Sequence, residues 1–193
     1  PFDAKHNGFV MGEGAALMRL ESYKFAFKRR ANILAEVIGY GQTNNGRNLI
    51  TQPAVEPQAE ALRLALRMAR ISPADVEYIN AHGTSTPLND EVETTSIKMA
   101  FGHYAYSLPI SSNKSMIGHM MGAAGAAEAV FTVKTILEGR IPPTINLHTP
   151  AEGCDLNYVP NKALKRSVRI AVNESFGFGG QNSVTLFKAY EYK

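Results

Sequence analysis

The stretch from Ser111 to Phe131, SSNKSMIGHMMGAAGAAEAVF, leaves this chain few ways to fold. Its first half is polar and carries Lys114 and His119. From Met120 onward it is almost all small: Gly122, Ala123, Ala124, Gly125, Ala126, Ala127 and Ala129. A helix of such residues has no bulky face in its first turns, so neighbouring backbone can approach on every side. That predicts a buried helix at the middle of a layered fold, running to a C-cap at about Gly139. Two glycines cost a helix about 1 kcal/mol each against alanine, and that cost implies close packing. His119 is expected just before or within the first turn, where unpaired N–H groups concentrate positive potential. Alone, it would read as a satisfied core histidine.

Strands and helices alternate around that stretch. Ala15–Leu20, Ile33–Tyr40, Val76–Asn80 and Leu108–Ser112 read as strands. Glu21–Arg30 has helix formers and a basic last turn. Pro57–Arg70 is amphipathic, with Ala61, Leu62, Ala65, Leu66 and Ala69 on one stripe. A further helix runs from Asn89 or Asp90, as cap, to about Phe101, with Glu91 and Glu93 in an acidic first turn. Gly8–Gly14 and Gly41–Pro53 are loops, and Arg140–Asn146 is extended. Ser167–Asn173 and Ser183–Phe187 read as strands joined by FGFGGQN, which makes the sheet mixed. The fold class expected is α/β and layered, with residues 1–193 as one domain.

Composition removes several function classes. The net charge of +3 is spread along the chain without aromatic–basic interleaving, so no nucleic-acid partner is expected. No apolar run reaches a membrane span, so no membrane partner is expected either. The one cysteine, Cys154, allows no internal disulfide and no cysteine metal cluster; it fits a reducing, cytoplasmic compartment, and no metal site is expected. The opening PFDAKHNGFVMGEG lacks an initiator Met and reads as the interior of a longer protein.

Three polar loops each follow a short apolar strand, where open α/β sheets place ligands. HGTSTP holds His82 with the hydroxyls of Thr84, Ser85 and Thr86. It reads as an ordinary turn before a helix, or as a histidine facing substrate with hydroxyls along a polar chain. The second loop carries Lys114 and His119. FGFGG, Phe176 to Gly180, exposes closely spaced backbone N–H groups; it serves either as an oxyanion hole or as a hairpin loop.

Together these loops resemble the C-terminal half of the β-ketoacyl-[acyl-carrier-protein] synthases, condensing enzymes of the thiolase-like fold. GFVMGEGA, NAHGTSTPLND, SSNKSMIGHMMGAAGAAEA, GRIPPTINL, CDLNYVPN and NESFGFGGQN occur in the family's order over nearly the whole chain. The resemblance implies an αβαβα arrangement completed by a missing N-terminal half. It implies decarboxylative condensation of malonyl-carrier protein with an acyl thioester, in fatty-acid or polyketide elongation. His82 and His119 would be the two histidines of a Cys–His–His site, donating to the enolate oxygen as CO₂ leaves. Lys114 would be the family's buried lysine, tied to Glu128, although ideal helical spacing places Glu128 on the far side. Thr84 and Thr86 match the hydroxyls that hold phosphopantetheine, and Phe178 the oxyanion donor and acyl gate. Asp90 and Glu93 read as capping residues. No cofactor is implied beyond the carrier's own arm. The partners implied are acyl carrier protein, the N-terminal half, and a second subunit in a homodimer or heterodimer.

Two departures stand out. The nucleophilic cysteine belongs to the missing half, and Cys154 lies in a segment the family keeps on the surface. Asn44–Pro53 has Asn45 or Gly46 and Leu49 where fatty-acid enzymes tend to carry Asp and His, which is closer to polyketide ketosynthases. A non-catalytic partner resembling a chain-length factor is the alternative; retention of both His82 and His119 argues against it.

Overall fold

A computed structural model describes residues 1–46 and 50–191, so the Leu49 comparison lies outside the described residues. Its centre is a five-stranded mixed sheet built from β1 (Ala35–Asn44), β2 (Tyr78–Asn80), β3 (Ile110–Ser111), β6 (Ile170–Gly177) and β7 (Gln181–Ala189). The order is β1-β7-β6-β2-β3. β1 and β6 flank β7 antiparallel, while β6, β2 and β3 run parallel. A small antiparallel ribbon joins β4 (Arg140–Ile141) to β5 (Leu164–Lys165).

Period-two alternation in β6 sorts the helices onto two faces. Val172 and Phe176 turn toward one core, with Leu62, Ala65 and Leu66 of α2 (Val55–Ala69) and Ile97 and Phe101 of α3 (Asn89–Phe101). Ala171 turns the other way, joining Tyr78, Phe187 and Ala129, Val133 and Ile136 of α5 (Ala124–Glu138). α2 lies unusually close to β1. A Cβ on Gly41 would stand 2.0 Å from the Ala61 carbonyl oxygen, and one on Gly39 would stand 2.4 Å from that of Ala65. The glycines let the helix backbone rest on the strand.

The Gly/Ala stretch departs from expectation in two ways. It forms two helices, α4 (Lys114–Ile117) and α5, separated by Gly118 at φ 72° and a 3₁₀ turn at Met121–Ala123. α5 ends at Gly139 in the left-handed conformation, as the C-cap reading requires. Within this chain α5 is buried on its sheet face only: Gly122, just before it, and Ala126 and Val130 on it are exposed. Close approach explains Gly125, where a Cβ would stand 3.1 Å from Ser175 Oγ, but not Gly122, which has open space.

The first third of the chain is also less regular than expected. Residues 15–20 form no strand and pair with none among the described residues; Leu17 is 98% and Leu20 72% exposed. The helix after them, α1, is short (Tyr23–Lys28), capped by Ser22 Oγ.

Candidate active site

Parallel β6, β2 and β3 point their C-terminal ends the same way, so the three polar loops meet at one edge of the sheet. There they surround a cavity of about 730 Å³, whose walls include His82, Thr84, Thr86, His119 and Phe178.

His82 leaves β2 directly into the cavity wall. The loop is held from below by α3, which corrects the capping reading of Asp90 and Glu93. No side chain caps α3 at its N-cap, Leu88. Glu93 Oε1 accepts the His82 N–H at 2.6 Å, and Oε2 accepts the Gly83 N–H at 2.8 Å and Asn89 Nδ2 at 3.0 Å. Asp90 accepts Ser85 N–H at 3.0 Å and Phe2 N–H at 2.7 Å. These carboxylates serve a loop preceding their own helix, so a cap within α3 was the wrong partner to look for. Thr84 and Thr86 share a hydroxyl hydrogen bond of 2.8 Å on the cavity wall.

His119 is clamped by the segment containing GFVMGEG. Its N–H donates to the Val10 carbonyl at 2.7 Å, and its carbonyl accepts from Gly12 at 3.0 Å. Phe9 stands edge-on to the ring at 5.4 Å between centroids. A Cβ on Gly12 would stand 2.3 Å from the Ile117 carbonyl oxygen, so glycine is what permits this contact.

The two imidazoles are T-shaped with centroids 5.5 Å apart. His119 Nδ1 accepts the Met121 N–H at 3.1 Å, and His82 Nδ1 faces Lys114 Nζ at 3.4 Å. An Nδ1 that accepts leaves the ring proton on Nε2. Neither Nε2 has a hydrogen-bond partner among the described residues, so both stand as donors toward whatever occupies the cavity. Burial, reinforced by the Lys114 charge, keeps both rings neutral: His82 is pushed well below the ordinary range and His119 down to about 4.

Lys114 is buried and forms an ion pair with the buried carboxylate of Glu128. It also donates to the His82 carbonyl at 2.6 Å. Burial pushes the Glu128 carboxyl up, against the pull of the ammonium. The break at Gly118 brings the pair together by turning the chain between α4 and α5. A polar network fixes that turn: Asn113 Nδ2 donates to Asn80 Oδ1 at 2.8 Å, and Asn80 Nδ2 to the Glu128 carbonyl at 2.9 Å.

Phe178 is 62% exposed at the tip of the β6–β7 hairpin, where Gly179 and Gly180 have φ 84° and 76°. The loop after β1 buttresses this turn. Asn44 Nδ2 donates to the Gly179 carbonyl at 3.0 Å, and Asn45 N–H to that of Gly180 at 2.9 Å. Asn44 and Asn45, from the stretch read as a polar loop, thus hold the hairpin turn that carries Phe178. Phe176, two residues earlier, is buried with its ring 5.8 Å from that of His82. Cys154 lies in the core beside Thr94 and away from the cavity wall, and burial pushes its thiol up. Its segment is not the surface stretch expected, because Leu156 and Tyr158 bury beside it.

Among the described residues no cluster of His, Cys, Asp and Glu is arranged to hold a metal, and no helix is long and apolar enough to cross a membrane.

Residues 34–148 match the family model described as beta-ketoacyl synthase, C-terminal domain. The chain is 49% identical over 190 residues to 3-oxoacyl-[acyl-carrier-protein] synthase 2 of Coxiella burnetii, covering 96% of this chain and 45% of that protein. It is 46% identical to the protein of the same name from Synechocystis sp., covering 99% of this chain and 46% of that one. It thus spans about half the length of the curated relatives it matches. Its backbone superposes, with a TM-score of 0.95 and 41% identity, on a type II PKS acyl-carrier protein complex with its ketosynthase bound to the hexaketide, over 99% of this chain and 47% of that one. A beta-ketoacyl synthase from Burkholderia phymatum gives a TM-score of 0.91 at 36% identity, over 99% of this chain and 46% of that one. The fold is therefore thiolase-like, and the chain belongs to the beta-ketoacyl synthase family, matching the C-terminal part of its relatives.

Proposed function

From that membership we propose that the chain is the C-terminal half of a 3-oxoacyl-[acyl-carrier-protein] synthase and supplies the decarboxylation half of its active site. The observation that carries this is the pair of neutral imidazoles, both presenting Nε2–H into one cavity. A cysteine outside this chain takes the acyl group as a thioester. The malonyl thioester then enters past Thr84 and Thr86, whose hydroxyls line the cavity for a phosphopantetheine arm. As the bond to its carboxylate breaks, CO₂ departs and the electron pair passes into an enolate. His82 and His119 donate to the enolate oxygen; two donors suit a charge concentrated on one atom. The carbanion attacks the acyl carbonyl, whose oxyanion is held by backbone N–H groups including that of Phe178, and the cysteine thiolate leaves. Lys114 and Glu128 fix His82 through its carbonyl and Nδ1.

The reading includes acyl carrier protein as the donor's carrier, an N-terminal half that completes the layers, a dimer, a cytoplasmic setting and no bound cofactor. The acyl chain belongs to fatty-acid or polyketide elongation. In the complete protein, His119→Ala should lower condensation by about two orders of magnitude, the scale of one oxyanion-type donor. Cys154→Ser should leave it nearly unchanged. Loss of condensation in Cys154→Ser with retention in His119→Ala would reverse the assignment.

A further inference from the structure

Beneath the His82 loop lies a second buried carboxyl group. Glu174 sits in mid-β6 between Val172 and Phe176, on the face that looks toward α3, and is fully buried. Neither of its carboxyl oxygens receives a hydrogen bond from a donor among the described residues. Glu93 is its buried neighbour on this side of the sheet: Glu93 holds the His82 N–H, the His82 ring stands 5.8 Å from that of Phe176, and Phe176 lies two residues along β6 from Glu174. Two neighbouring carboxylates buried in one core cannot both ionise at low cost, so the pair keeps a proton between them. The surroundings decide which oxygen carries it. Glu93 already accepts two backbone N–H groups and Asn89 Nδ2, all of which favour its charged form. Glu174 has no such donor. The nearby buried ammonium, Lys114, is paired with Glu128.

We propose that Glu174 is a positioning residue for the reaction centre: held as a neutral carboxylic acid, it donates its proton to Glu93, which in turn holds the His82 and Gly83 N–H groups. One shared proton then keeps the His82 loop seated. Removing it places two negative charges face to face and pushes Glu93 away from the loop it anchors. The charged groups that act on the pair are Asp90 on α3 and Lys114 on α4, with Glu128 across the sheet; the His82 backbone N–H donates to Glu93. Burial and the Glu93 charge both push the Glu174 carboxyl well above the ordinary range, in the direction the geometry requires.

The consequence for catalysis rests on His82 being an enolate donor; the proton pairing does not. The test therefore uses the complete protein and two kinds of readout. Infrared spectroscopy near neutral pH should show the carbonyl band of a protonated carboxylic acid that Glu174→Gln removes. On alkaline titration, the backbone amide signals of His82 and Gly83 should move with the same midpoint as that band, and should stay fixed in Glu174→Gln. The alkaline limb of CO₂ release from malonyl-carrier protein should follow the same midpoint and shift in the variant. If Glu174→Gln folds poorly, titration of the parent's band against its two amide signals still decides. A parent without the band, a band that survives in the variant, or amides that stay fixed while the band titrates would each overturn the proposal. A protein that shows the band and the amide shifts but releases no CO₂ would instead count against the functional reading.

Discussion

The two histidines owe their chemistry to the groups behind them. A histidine in water is half-protonated near neutrality and offers no fixed tautomer. Here Met121 N–H and Lys114 Nζ occupy the two Nδ1 atoms, and burial keeps the rings neutral. The sign of the pH dependence follows. His119 has a folded-state value of about 4, below the 6.5 of an exposed histidine. As pH falls from 6.5 toward 4, the unfolded chain takes up a proton that the folded chain refuses, so stability is lost across that window. His82 contributes in the same direction. His119→Gln cannot be protonated, so thermal melts of the complete protein should show a smaller loss between those limits for the variant than for the parent. An equal loss would mean that His119 titrates normally.

At the scale of elements, the sequence was most legible where one periodic pattern met one partner. α2 follows from apolar spacing, α3 from the acidic residues of its first turn, and the β6–β7 hairpin from the glycines between its two strands. Legibility failed where the partner is distant. Asp90 and Glu93 look like helix-start residues because their spacing suits that role, yet their acceptors reach back to the loop at residues 82–85. Lys114 and Glu128 appear mismatched on one ideal helix because Gly118 makes it two. Glu174 could have been noticed as a charge at an inward position of a core strand, since period two puts it with Val172 and Phe176. The contact of α2 with β1 is likewise invisible in local pattern, since GYG reads as an ordinary strand or turn. It can be tested directly: Gly41→Ala forces a methyl to within 2.0 Å of the Ala61 carbonyl. Denaturant unfolding of the complete protein should register a loss of about 1–3 kcal/mol, typical of overpacking. A neutral result would mean that α2 can move off the strand without cost.

For the molecule as a whole, the sheet is sealed on one face by α2 and α3 and on the other by α5, whose outer side remains open. Val10, Leu17, Leu20, Phe25 and Phe27 are each more than half exposed in the segment leading to β1. Apolar exposure on this scale marks an interaction surface rather than a solvent face. Residues 1–193 expressed alone should therefore self-associate and melt without a sharp cooperative transition, as followed by sedimentation and calorimetry. A cooperatively melting monomer would show that these surfaces need no partner. The functional claim is that nucleophilic attack and enolate stabilisation come from different parts of the fold, with the second resident here. The measurement that reaches it most directly compares two activities in the complete protein carrying both His82→Ala and His119→Ala. One is labelled CO₂ release from malonyl-carrier protein; the other is mass-spectrometric detection of the acyl-enzyme. CO₂ release should stop, because the enolate loses both donors, while self-acylation should fall much less, because backbone N–H groups hold its oxyanion. CO₂ release at the parent rate would contradict the account and remove His82 and His119 from the centre of the site.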